Sequence, residues 1–284
     1  MIKIISDSTC DLPEEIIQKY GVVILPLHIH LGEREYKDGL NISPEEIFEW
    51  CKDNGTTPKT SAIALDDTIN IFRQYAEEGY ELICFTISEY MSTSGNVMRI
   101  AADELGIASK VHVINSQNLC AGIGLLIVEA AEMIKMGKAT REIVDEIQFL
   151  KSKVRSSFIV DSLTYLYMGG RCSSIEAMAG SMLKIHPKIV VEDGKMHAGK
   201  KYRGKLSSAI MSYMYDMEEE LREANRDRIY IAWAGCDDAY VKMVREYVEE
   251  LNVFDEITVT KAGGVISSHC GPGTLGIFFI AKNE

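Results

Sequence analysis

The first 115 residues alternate short apolar runs with amphipathic stretches, and this alternation constrains the fold more than any other feature of the chain. Runs of four to eight apolar residues at 3–6, 22–29, 82–87 and 111–115 have strand length. The segments between them, at 13–20, 44–54, 64–78 and 95–105, carry helical spacing and open after Ser, Asp or Pro. Strands that alternate with helices build a parallel sheet, because parallel neighbours need a crossover connection. An α/β layer is therefore expected first, followed by two long helices at 121–136 and 141–154.

From residue 157 the order changes. Strands are expected at 157–160, 228–234, 256–261 and 275–281, helices at 162–168, 174–182, 206–224 and 239–251, and a hairpin turns at Asp193-Gly194, a strong turn pair. That half reads as α+β with a mixed sheet. A chain of 284 residues exceeds what one core comfortably fills, so two domains are expected, at 1–154 and 155–284.

The formal charge of −12 argues against broad nucleic-acid binding, which depends on a basic face. The longest mostly apolar run, 121–134, contains Glu129 and Glu132 and is too short to span a bilayer. The first residues have the form of a strand and not of a signal peptide, and the seven cysteines form no CxxC pair. A cytoplasmic protein with reduced thiols, no disulfide framework and no cysteine zinc site is expected.

Four polar segments stand out as candidates for chemistry. The stretch from Lys261 to Thr274 crowds four glycines and Pro272 around His269, and reads as a polar loop holding the histidine at the rim of a pocket. Thr60 and Ser61 follow Pro58-Lys59, where Ser61 has the form of a helix cap and the hydroxyls also suit an anion. Ser88, Ser92, Thr93 and Ser94 lie between a strand and a helix, the position at which open α/β sheets bind ligands. Gly169-Gly170-Arg171 has the form of a helix end that delivers a guanidinium to a carboxylate or phosphate. Together the four point to a site for an acidic head group.

Other features are weaker. Lys200, Lys201 and Arg203 form a local basic cluster in an otherwise acidic chain, which a solvated edge strand would also explain. His28 and His30 share one strand face near Asp38 but lack further metal ligands, so no metal is expected. Asp7 to Asp11 reads as a helix cap or as a nucleotide or metal loop. Both glycine-rich phosphate-loop patterns are missing.

Taken in order, Ser6-Asp7-Ser8-Thr9-Cys10-Asp11-Leu12-Pro13, Pro26-Leu27 with Asp38-Gly39, Pro58-Lys59-Thr60-Ser61, Ser92-Thr93-Ser94, Gly169-Gly170-Arg171, Lys201 with Arg203, and His269-Cys270-Gly271-Pro272-Gly273 resemble the DegV family. The resemblance runs from the first expected strand to the last. It implies a two-domain α/β protein that encloses one long-chain fatty acid between its domains and needs no cofactor. It also implies a partner, an ATP-dependent fatty acid kinase subunit to which the carboxylate is presented for acyl-phosphate formation, with at most transient membrane contact.

Carried over by residue, Thr60, Ser61, Ser92, Thr93, Arg171 and His269 would bind the carboxylate, and Arg203 would meet the kinase. Ile63, Ile123, Met178, Met182, Leu183, Ile266 and Phe278 are candidates for the acyl tunnel. The chain departs from the family pattern in two places: Thr93 stands where glycine is common, and His28 and His30 stand where apolar or hydroxyl residues are usual. The alternative to a lipid-presenting protein is a stand-alone hydrolase or acyl or phosphoryl transferase using Ser92 or His269.

Overall fold

The computed structural model describes residues 1–172 and 185–282. It is an α/β protein with a parallel four-stranded sheet and a mixed six-stranded sheet. The parallel sheet has the order β2-β1-β6-β7, from β1 (Ile2–Asp7), β2 (Val23–Leu25), β6 (Glu81–Thr86) and β7 (Val111–Asn115). Its connections contain α1 (Glu14–Tyr20), α2 (Pro44–Asn54), α3 (Leu65–Glu77) and α4 (Ser94–Glu104). Local chemistry explains α2 well: Ser43 and Glu46 form a reciprocal capping box, proline opens the helix, and Gly55 closes it in the left-handed region.

The expected strand at 22–29 divides in two. Pro26 has no N–H to donate, and the chain leaves the parallel sheet there. β3 (His28–Leu31) instead forms a separate antiparallel sheet between β4 (Arg34–Lys37) and β5 (Lys59–Ser61). Thr60 and Ser61 therefore lie on a strand, paired with Ile29 and His28. The expected cap at Ser61 is corrected accordingly: Ala64 occupies the N-cap of α3 and makes no side-chain cap.

α5 (Ala121–Lys135) is apolar on nearly every side, with a buried run from Ala121 to Val128. A helix of that kind has no solvent face, and it packs against strands of both large sheets. Gly124 permits close approach to the segment after β1, because a Cβ there would lie 2.7 Å from Leu12 Cδ2. α6 (Thr140–Leu150) follows.

The six-stranded sheet has the order β10-β9-β8-β13-β11-β12. Its strands are β8 (Val154–Ile159), β9 (Ile185–Glu192), β10 (Lys195–Arg203), β11 (Ala224–Ala234), β12 (Glu256–Lys261) and β13 (Thr274–Ala281). Only β11 and β12 pair in parallel. α7 (Thr164–Gly169) follows β8, and α8 (Leu206–Arg222) and α9 (Asp238–Leu251) complete this part. The expected helix at 174–182 and the tunnel candidates Met178, Met182 and Leu183 fall outside the described residues.

The expected loop between residues 261 and 274 contains a helix, α10 (Gly264–Cys270). It leaves the six-stranded sheet after β12, packs against α2, α7, β3 and β5, and returns as β13. No helix among the described residues is long and apolar enough to cross a membrane. All seven cysteines are buried.

Candidate functional site

α10 brings its last turn against β5, and there the Thr60 hydroxyl and His269 Nε2 are 2.8 Å apart. The other ring nitrogen, Nδ1, is buried, has no hydrogen-bond partner among the described residues and lies against the backbone of Gly169 at the end of α7. A Cβ at Gly169 would overlap the imidazole, so the first glycine of the Gly-Gly-Arg motif makes room for the histidine. The second glycine, Gly170, caps α7 in the left-handed conformation at φ 66°. Arg171 follows the turn, exposed, and donates from a guanidinium nitrogen to the Gly169 carbonyl at 2.6 Å.

Burial pushes His269 down to about 4, and the positive charge of Arg171 adds to the effect. The ring is therefore neutral at physiological pH, with one nitrogen a donor and the other an acceptor. A neutral imidazole beside a hydroxyl and a guanidinium presents donors to an anion without itself being a buried charge.

The loop after β6 supplies the remaining hydroxyls. Ser88 accepts the Tyr90 N–H through its side chain, while its carbonyl accepts from the N–H groups of Met91 and Ser92. Ser92 and Ser94 hydroxyls are 3.0 Å apart, with Ser92 half-buried and Thr93 exposed. The Ser88 hydroxyl donates to the Gly194 carbonyl at 2.6 Å, so the tip of the β9–β10 hairpin is tied to this loop, and Lys195 lies over the Tyr90 ring.

Part of this arrangement borders a cavity of about 400 Å³. Thr60, Ser61, Ser92, Thr93, Arg171 and His269 all line it. Its apolar wall includes Met91, Leu119, Met196 from the hairpin, and Ile266 one turn before His269. Of the apolar candidates, Ile266 lines this cavity, and it also borders a small apolar void of about 20 Å³ that Phe278 lines. Ile63 and Ile123 are placed in the packed core and line neither space.

Arg203 is exposed at the end of β10. His28 contacts Glu35, and His30 Nε2 is 3.0 Å from the Ser61 hydroxyl. Among the described residues no three His, Cys, Asp or Glu side chains are arranged to hold a metal ion. The closeness of Gly169 to His269 is not anticipated from the sequence, although the doubled glycine at 169–170 exceeds what one helix cap requires.

The fold and this cavity define an α/β protein with a cavity whose wall combines apolar side chains with hydroxyl, imidazole and guanidinium groups and the carboxylate of Glu89. Residues 1–282 match the family model described as an uncharacterised protein of the DegV family, and the chain belongs to that family. A DegV domain-containing protein of Clostridium perfringens is 32% identical over 281 residues, covering 99% of each chain. The solved structure of a DegV family protein from Thermus thermophilus, described by its fatty acid binding, superposes with a TM-score of 0.91 at 28% identity over 99% of each chain. A stearic acid-binding protein from Eubacterium ventriosum superposes with a TM-score of 0.87 at 30% identity, again over 99% of each.

Proposed function

We propose that the chain binds one long-chain fatty acid and presents its carboxylate to a separate ATP-dependent kinase subunit in the cytoplasm, without being the catalyst. The observation that carries the reading is the Thr60–His269 pair at 2.8 Å, set beside Arg171 in a cavity with an otherwise largely apolar wall. A buried carboxylate left without donors would cost several kcal/mol, and these groups are donors. Each methylene of an acyl chain contributes about 0.8 kcal/mol on burial, which an apolar wall can collect. The relatives described as fatty acid-binding share the fold over nearly the whole chain.

On this reading the ligand lies between an N-terminal domain, 1–154, and a C-terminal domain, 155–284, with α10 contributed across the boundary. Thr60 and Ser92 hold the carboxylate, Arg171 and His269 support it, and Ser61 and Thr93 border it. Arg203, exposed on β10, meets the kinase. The alternative of a serine nucleophile with a histidine base fares less well: His269 Nε2 is engaged by Thr60, and the Ser92 hydroxyl by Ser94.

Mass spectrometry of an organic extract, run beside the intact protein under native conditions, tests the reading. One fatty acid per chain and no ATP hydrolysis by the isolated protein are expected. Absence of lipid together with no uptake of added fatty acids would reject the reading.

A further inference from the structure

Three sequence motifs have no part in the head-group cluster: Asp7 to Asp11, Asp38-Gly39 and Gly263-Gly264. They meet at the first turn of α10. Asp38 Oδ1 accepts from the N–H groups of Gly264 at 2.7 Å and Val265 at 3.3 Å, and Oδ2 accepts from the Ser8 hydroxyl at 2.8 Å. Asp11 Oδ1 accepts from the Gly263 N–H at 2.9 Å, and its carbonyl accepts from the Thr260 hydroxyl at 2.5 Å. Ser8 Oγ in turn accepts the Leu27 N–H at 3.1 Å, which ties the arrangement to the sheet carrying Thr60.

The glycines are needed for closeness. A Cβ on Gly263 would lie 2.8 Å from Asp11 Oδ1, and one on Gly264 would lie 3.0 Å from Asp38 Oδ1 and 2.7 Å from Ile29 Cδ1. Gly263 has φ −66°, so proximity and not a left-handed conformation accounts for it. Both carboxyls are buried, and burial raises the pKa of each. A seven-residue helix cannot satisfy its own first N–H groups, and here residues some 226 positions away in sequence satisfy them.

We propose that Asp38, supported by Asp11, is a positioning residue for the head-group site. It fixes the first turn of α10, and the helix transmits that placement over about 7.5 Å to His269 and its contact with Thr60. The effect on ligand rests on the fatty-acid reading above; the effect on His269 does not.

A double-mutant cycle separates positioning from simple stabilisation, because residues that act through one another are not additive. The affinity of the full chain for oleic acid is measured in wild type, Asp38→Ala, His269→Ala and the double variant. Asp38→Ala is expected to weaken binding about ten-fold in the wild-type background and less than about two-fold once His269 is gone. Asp38→Asn, which keeps an acceptor for Gly264, should stay within about three-fold of wild type. Ser8→Ala removes only the outer partner and gives a milder change in the same direction should Asp38→Ala not fold.

In the ligand-free protein, NMR titration of the His269 ring should move up toward an ordinary histidine in Asp38→Ala and stay low in Asp38→Asn. Equal losses of affinity in both backgrounds with an unmoved ring titration would overturn the proposal. If wild type binds no oleic acid, the functional reading fails, and the ring titration alone decides the positioning.

Discussion

Thr60 and His269 stand 209 residues apart and share one hydrogen bond of 2.8 Å, between a strand of the small antiparallel sheet and a helix inserted into the mixed one. Among the described residues this bond is the one hydrogen bond of the buried imidazole, since Nδ1 makes none.

Thr60→Val should therefore leave the ring with no partner at either nitrogen. An unsatisfied buried group costs about 1–3 kcal/mol, which in a chain of this size lowers Tm by roughly 2–10 °C. Thr60→Ser, which keeps the hydroxyl, should recover most of the loss. Differential scanning calorimetry of the three proteins checks the order.

The histidine also sets a pH dependence. The folded ring takes up its proton only below about 4, whereas the unfolded chain does so below about 6.5. Between those values the unfolded state binds more protons, so this contribution to stability is intact above about pH 6.5 and falls by about 3 kcal/mol as pH drops to 4. Asp7 acts oppositely: burial raises it to about 6, so the folded state holds a proton that the unfolded chain releases, and stability rises as pH falls through that window. The comparison that isolates the histidine is wild type against His269→Gln in urea unfolding at several pH values. The variant should lose less stability on acidification, and parallel curves would contradict the assignment.

Gly169→Ala should separate folding from binding. Alanine is the better helix residue by about 1 kcal/mol, yet its Cβ would displace the imidazole. Circular dichroism should be unchanged while fatty acid affinity falls at least about ten-fold, equivalent to about 1.4 kcal/mol. Retained affinity would show that the ring position does not matter.

The two arginines should divide their roles. Losing a hydrogen bond to a charged group costs about 1.5–3 kcal/mol, so Arg171→Ala should weaken fatty acid binding about 10- to 150-fold. Arg203→Ala should leave binding intact and reduce only acyl-phosphate formation with a kinase subunit. Isothermal titration with oleic acid checks the first half, and equal loss in both variants would contradict the division.

What sequence revealed and what it concealed follow the distance over which each element is determined. Residues 111–115 and 256–261 are edge strands rich in β-branched residues, and 44–54 carries its own capping box, so local signals suffice for each. β5 is three residues long, and its partner β3 lies about thirty residues earlier, so Thr60 and Ser61 read as loop and cap. α10 opens on Gly264, a poor helix former, behind Gly263 at its N-cap, and the N–H groups of these two residues find their acceptors on Asp38 and Asp11 near the other end of the chain. The polar residues proposed for the head group could be named from their types and their family resemblance. Their convergence on one cavity, and the carboxyls behind the helix, depend on contacts that no local window contains.

The most direct test of the central claim compares oleic acid with oleyl alcohol, which has the same chain and no carboxylate. Because the site is read as a set of donors for an anion, wild type should bind the acid at least about 100-fold more tightly, a difference near 3 kcal/mol. That preference should collapse in Arg171→Ala. Equal affinity of wild type for acid and alcohol would contradict the account, since the cavity would then recognise the chain and not its head group.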